Sequence, residues 1–281
     1  MSRRALNLVL DFDGTITTKD TIDTIAEIGL NFQKKRGSDL SAAWQQILKD
    51  YGKDHADHVA GYKPPANSRL ALSDELAYLR GLKEVELRSV RRVEDSGIFQ
   101  GISRDDLLKA GNAAREEGRV KLRDGFVELM STARQNGWCV SVVSVNWSRS
   151  FIQGVLSAYG FDVVANELEM DGSLSGPDVL GPPSRDTILT TCEDKLRALR
   201  ALAVRQGADS AEGLVYFGDS TSDLECLLVA RGVVVSTNTE SSLIKTLSRV
   251  GCDVRRALGH PGSSKLVWAS TFSEVLQSGF L

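Results

Sequence analysis

The sequence predicts an α/β protein: a doubly wound parallel sheet, with a mainly α-helical block inserted after the first strand. Three observations predict it. Short unbroken apolar runs recur through the second half of the chain, each followed by a helical pattern, which is the rhythm of strands buried on both faces. Residues 21–119 lack such runs and read as consecutive helices. One further apolar run, Leu6 to Leu10, stands alone before that block. The core is therefore expected from two separated pieces of chain, 1–20 and 120–281, with 21–119 as the insertion.

Taken in order, Leu6 to Leu10 is β-compatible and ends at once in the turn chemistry of Asp11-Phe12-Asp13-Gly14-Thr15. Ile22, Ile25, Ala26 and Ile28 mark an amphipathic helix that should stop near Gly29. Ser41 to Leu48 and Ser73 to about Val93 are further helices, separated by Gly61-Tyr62-Lys63-Pro64-Pro65, and Arg104 to Glu117 is another. Beyond Leu122 the expected series is helix Gly125–Gln135, strand Cys139–Val143, helix Phe151–Tyr159 and strand Val163–Ala165. Helix Lys195–Gln206, strand Leu214–Phe217, helix Leu224–Ala230 and strand Val233–Val235 follow. Leu266–Trp268 and Phe272–Leu276 close it as a strand and a helix.

Bulk properties narrow the function. A length of 281 residues allows one large domain or a core with an insertion, and 42% hydrophobic with 25% charged residues is ordinary for a soluble protein. A net charge of -3 gives no electrostatic reason to expect nucleic acid or an anionic membrane as partner. Cys139, Cys192, Cys226 and Cys252 are widely spread with no C-x-x-C pair, which argues against a disulfide framework or zinc site and for a reducing, cytoplasmic setting. The apolar run after Arg3-Arg4 is too short for a signal segment, and no stretch approaches membrane-spanning length. Nothing in the sequence sets an oligomeric state.

In open parallel sheets, ligands gather at the carboxyl ends of the strands. Three strand ends carry polar groups: Asp11 and Asp13 after the first, Ser144-Val145-Asn146 after the second, and Gly218-Asp219-Ser220-Thr221-Ser222-Asp223 after the strand at 214–217. Two acids two residues apart at a buried strand end repel each other unless a cation or shared proton compensates. The chemistry this predicts is phosphoryl transfer to a carboxylate from a small-molecule phosphate ester. Asp11 is the expected nucleophile and Asp13 the expected acid and base. Mg²⁺ takes oxygen ligands, here from Asp11, Asp13 (its backbone carbonyl) and Asp219, with Asp223 placed to hold metal-bound water. Ser144 and Lys195 are expected on the phosphoryl oxygens, and N–H groups of Phe12, Asp13 and Gly14 as an anion nest. Ser141 competes with Ser144, and Arg197 with Lys195; Ser144 is preferred for its place at the strand end.

Asp11-Phe12-Asp13-Gly14-Thr15, Ser144, Lys195 and Gly218 to Asp223, in this order, resemble the four motifs of the haloacid dehalogenase (HAD) superfamily. Leu122 to Phe126 and Ala165-Asn166-Glu167-Leu168 resemble segments of its phosphoserine-phosphatase-like branch. The resemblance implies a Rossmann-like core, a helical C1-type cap at 21–119 that closes over the substrate, and a Mg²⁺-dependent phosphatase. It adds Phe12, Gly14, Thr15, Asp20, Val145 and Asn146 to the expected substrate- and phosphate-binding set. Phosphoserine phosphatases carry a Glu where this chain has Asp20, and the wording around it is closer to methionine-salvage and thiamine monophosphate phosphatases. A phosphotransferase or mutase on the same scaffold, and a non-catalytic binding protein of this fold, stay open as alternatives. Tyr62, Arg69 and Arg88 are cap candidates for substrate selection that the sequence does not rank, and the run Arg88 to Arg92 reads equally as a solvated helix face. Trp147 is either a substrate wall or a packing residue. His55 and His58, on one helix face, read as a solvated patch before they read as a zinc site.

Overall fold

The computed structural model describes residues 6–207, 210–259 and 264–281. Among these the strands are, in chain order, β1 (Asn7–Leu10), β2 (Cys139–Val143), β3 (Asp162–Val164), β4 (Glu167–Leu168), β5 (Leu174–Ser175), β6 (Leu214–Gly218), β7 (Arg231–Val235), β8 (Arg255–Arg256) and β9 (Leu266–Ala269). Seven of them form one sheet in the order β3-β2-β1-β6-β7-β9-β8, and every pairing in it is parallel. β4 and β5 make a separate antiparallel hairpin. The helices are α1 (Ile22–Lys35), α2 (Ser41–Gly61), α3 (Leu72–Gly81), α4 (Lys83–Ser96), α5 (Arg104–Glu116), α6 (Phe126–Asn136), α7 (Arg149–Val155), α8 (Cys192–Arg205), α9 (Leu224–Val229), α10 (Ser242–Arg249) and α11 (Phe272–Ser278).

The apolar runs are unbroken because each strand feeds two cores. Leu8 and Leu10 pack with Phe126, Val142 and Phe217 on one face, while Val9 joins Leu199, Tyr216 and Val234 on the other. The chain runs outward from β1 through β2 to β3, then returns to β1's other side as β6. That switch leaves a crevice at the carboxyl ends of β1 and β6, where the Asp11 N–H donates to the Phe217 carbonyl at 2.9 Å.

The helical block departs from the expected boundaries in three places. α1 does not stop at Gly29: a Cβ there would lie 2.6 Å from Ile98 Cγ2, so this glycine admits a close neighbour instead of ending a helix. α2 continues to Gly61, and the single helix expected over 73–93 is two, α3 and α4, joined at Leu82. In the core, α8 begins at Cys192 because Thr191 and Asp194 form a reciprocal cap. α7 begins at Arg149 because Ser148 accepts from the Phe151 N–H.

The inserted helices are tied to the core at several points. The two chain pieces meet where Thr17 pairs with Leu122 and the Arg123 N–H donates to the Ile16 carbonyl at 2.8 Å. α5 packs directly on α7. At the start of α4, Lys83 Nζ donates to Asp194 Oδ2 at 2.8 Å and to the Ile188 carbonyl at 2.6 Å. At its far end Glu94 accepts from the Leu174 N–H at 2.9 Å and pairs with Arg185 at 2.5 Å. Arg80 pairs with Glu225, and Arg249 with Glu75 at 2.9 Å. The four cysteines are unpaired, and no helix of the described residues is long and apolar enough to cross a membrane.

Candidate active site

After β1 the chain turns through Phe12–Ile16, with Gly14 at φ +70. A side chain at residue 14 would be strained there, and its Cβ would lie 2.2 Å from Asp219 Oδ2. Gly14 thus lets two strand-end loops touch. Arg123 braces this turn from behind, with Nε donating to the Thr15 carbonyl at 3.0 Å and Nη2 to the Gly14 carbonyl.

Asp11 is buried at the floor of a cavity of about 460 Å³. Its Oδ1 forms an ion pair with Lys195 Nζ at 2.8 Å and has no other partner. Lys195, itself fully buried, donates at 2.6 Å to Asp223 Oδ1. Asp13 is held from two sides: Oδ1 accepts from the Thr21 N–H at 2.9 Å and hydroxyl at 2.7 Å, and Oδ2 from Asn146 Nδ2 at 2.7 Å. Asp219 Oδ1 accepts from the Thr15 hydroxyl at 2.9 Å.

Burial pushes the Asp11 carboxyl well above the usual range; Lys195 opposes this, while Asp223 and Asp219 add to it. Burial and then Asp20 raise Asp13 from 3.8 to about 6, against the Asn146 and Thr21 hydrogen bonds. Burial and then Asp223 raise Asp219 from 3.8 to about 7. Burial works against the Lys195 ammonium, but Asp11 and Asp223 outweigh it and raise its pKa.

Asp11, Asp219 and Asp223 each offer an oxygen within 4.8 Å of the others. Three carboxylates gathered in one largely buried cluster, with Asp11 and Asp219 carrying few donors of their own, fit a hard divalent cation of the Mg²⁺ kind that takes oxygen ligands. A pH dependence follows. Between pH 3.8 and about 6 for Asp13, or about 7 for Asp219, the folded protein holds protons that the unfolded chain has lost. Their contribution to stability therefore falls as pH rises through that window. A cation that relieves this repulsion should raise the melting temperature more at pH 7 than at pH 5. An equal Mg²⁺ effect at both pH values would count against a cation at these acids.

Among the residues singled out from sequence, Asp11, Asp13, Gly14, Asp20, Ser144, Val145, Asn146 and Asp219 line the cavity. Asp20 also accepts from the Ile22 N–H at the start of α1, at 2.7 Å. Phe12 points into the apolar core, and the Thr15 hydroxyl is committed to Asp219. The expected anion nest has one N–H fewer than supposed, because Gly14 donates to Thr17 Oγ1 at 3.1 Å. Ser141 bonds to Gln206 at 2.6 Å and Arg197 to the Asp186 carbonyl at 3.0 Å, so neither competitor reaches the site.

The three unranked cap candidates do not line the cavity. Arg69 stacks on Tyr78 at 3.8 Å with Tyr62 alongside, and Arg88 pairs with Asp54 at 3.1 Å. His55 and His58 are both half-buried, His55 beside Tyr51 and His58 between Tyr62 and Tyr78. The roof is instead Trp44, Ile47 and Tyr51 from α2 and Glu86 and Val90 from α4, facing Trp147. Tyr51 donates to Glu86 at 2.9 Å. Thr21, Arg123, Tyr216 and Asn166 carry no site role in the sequence reading, although Arg123 and Asn166 lie in the two branch-like segments. Asn166 is fully buried and clasps the Val145, Asn146 and Leu189 carbonyls.

The model of the haloacid dehalogenase-like hydrolases matches residues 8–228. The chain belongs to that family. This HAD-like hydrolase is 28% identical over 237 residues to a CTO1 family protein of Schizosaccharomyces pombe, covering 79% of this chain and 78% of that one. It is 27% identical over 280 residues to the bifunctional TH2 protein, mitochondrial, of Arabidopsis thaliana, covering 89% of this chain but 42% of that longer protein. In fold it is similar to a phosphoserine phosphatase solved as a phospho-aspartyl intermediate analogue, with a TM-score of 0.53 at 16% identity, over 98% of this chain and 99% of that one.

Proposed function

We propose that this HAD-like hydrolase is a Mg²⁺-dependent phosphatase of a small phosphorylated metabolite, working through a phosphorylated Asp11. The observation that carries this reading is the Asp11 carboxylate, buried at the cavity floor against Lys195, clustered with Asp219 and with Asp13 beside it. Asp11 attacks phosphorus and the bond from phosphorus to the ester oxygen breaks. Asp13 gives that departing oxygen a proton. Asp13 then takes a proton from water, whose oxygen attacks the phosphorus and frees Asp11 and inorganic phosphate. Thr21 and Asn146 aim Asp13 through both turns of that cycle, and its raised pKa of about 6 suits a group that must both give and take a proton. A bound Mg²⁺ would neutralise phosphoryl charge, held by Asp11 and Asp219 with the Asp13 carbonyl. Ser144, at the cavity wall, is placed to donate to a phosphoryl oxygen. The unpaired thiols agree with a reducing, cytoplasmic setting.

The roof constrains the alcohol part of the ester. Trp44, Tyr51 and Trp147 line the cavity with aromatic rings, Asp20 and Glu86 are acidic, and among the described residues no Lys, Arg or His lines it. An ester with its own carboxylate would meet only negative charge there, so phosphoserine and 3-phosphoglycerate are expected to fall at least about tenfold below neutral or amine-bearing esters in kcat/KM. Phosphate release from a metabolite panel, with Mg²⁺ and with EDTA, tests both points. No release from any ester in Mg²⁺ would remove the phosphatase reading, and transfer to a second alcohol would replace it with phosphotransfer.

A further inference from the structure

Tyr216 takes no part in the chemistry above, yet its hydroxyl is fixed on the acid cluster. It sits in the middle of β6, fully buried, in the apolar layer with Leu199, Leu224 and Val234. Phenylalanine fills such a place unaided, as Phe217 does on the opposite face. A hydroxyl in that layer needs a hydrogen-bond partner, and this one donates to Asp223 Oδ1 at 2.7 Å.

Asp223 is crowded with donors. Oδ1 also takes Lys195 Nζ at 2.6 Å, while Oδ2 takes the N–H groups of Asp219 at 3.2 Å and Ser220 at 3.1 Å and the Ser220 hydroxyl at 3.2 Å. Five donors fill the lone-pair directions of a carboxylate, so Asp223 has little capacity left to ligate an ion directly. What it can do is orient. One oxygen fixes the backbone that carries Asp219, and the other fixes Lys195, which reaches Asp11. Of the donors on Oδ1, Lys195 is shared between two acids and Tyr216 is not.

We infer that Tyr216 is a positioning residue: its phenol locks the Asp223 carboxylate so that Asp219 and Asp11 hold the spacing a divalent cation requires. This rests on the reading of Asp11 and Asp219 as cation ligands. Partners that orient a metal's ligands typically contribute a factor of ten or more to affinity. Mg²⁺ titrated calorimetrically into metal-stripped full-length protein tests it, with wild type, Tyr216→Phe, Asp223→Asn and the double variant. Tyr216→Phe should fold with an unchanged circular-dichroism spectrum and bind Mg²⁺ roughly tenfold more weakly. Because Tyr216 acts through Asp223, the double variant should bind no worse than Asp223→Asn alone. Unchanged Mg²⁺ affinity in Tyr216→Phe, losses that multiply in the double variant, or a Tyr216→Phe protein that does not fold would each overturn the assignment. Wild type that takes up no Mg²⁺ would remove the cation reading itself, and this inference with it.

Discussion

Asp11→Asn should abolish phosphate release while leaving the protein folded. The side chains match in shape, so the change removes the nucleophilic oxygen and one expected cation ligand with little disturbance of packing. Loss of a covalent nucleophile leaves only binding and electrostatic effects, so kcat should fall on the order of 10⁴-fold or more. Stability should not fall with it. Burial opposes the Asp11 charge, and Lys195 keeps its pairing with Asp223. In EDTA the variant should melt no lower than wild type. Asp13→Asn should behave differently. With p-nitrophenyl phosphate, whose leaving group needs no proton, it should lose far less of the first step than with an alkyl ester. Single-turnover release of p-nitrophenol measures that step directly. Retention of a substantial part of steady-state turnover by Asp11→Asn would end the nucleophile assignment.

Lys195→Met is expected to have the largest effect on stability. Methionine fills most of the lysine's volume but takes the positive charge from between two buried acids, 2.8 Å from Asp11 and 2.6 Å from Asp223. Removing one member of a buried ion pair strands the other, at a cost of about 3–5 kcal/mol. For a chain of this size that lowers the melting temperature by roughly 10 °C. Mg²⁺ should recover part of the loss in the variant, because it restores positive charge beside the same carboxylates. Thermal unfolding in EDTA and in Mg²⁺ reads both effects. A Lys195→Met protein as stable as wild type in EDTA would overturn the reading of Lys195 as the buried cation that holds Asp11 and Asp223 together.

Why some of this was legible in the sequence and some was not has a physical basis. Strands buried on both faces give unbroken apolar runs, and an acid or hydroxyl at the end of one stands out because burial there is costly; Asp11, Ser144 and Asp219 were found that way. The roof was not found. Whether Trp44 and Glu86 or Tyr62 and Arg69 face the cavity depends on how α2 and α4 cross, which a helical repeat does not encode. Gly29 shows the same limit: a helix stop and a close packing contact look identical until Ile98 and Phe99 are in place. Thr21 and Tyr216 are ordinary polar residues in sequence, and Asn166 stood out only as part of a family-like segment; the fold is what brings them against Asp13, Asp223 and the Val145–Asn146 carbonyls.

The position of β1 has a consequence for how the molecule assembles. Asn7 pairs with Cys139 on one side and Leu214 on the other, so β1 is an interior strand whose two neighbours are both made well over a hundred residues after it. Contacts that close such long loops are slow to form. During synthesis, Leu8 to Leu10 must wait as an unpaired apolar strand while the whole helical block emerges. Pairing of the sheet is thus expected to begin only once β2 is available and to be completed around β1 only with β6, and the nascent chain should be most prone to aggregation and most dependent on chaperones until then.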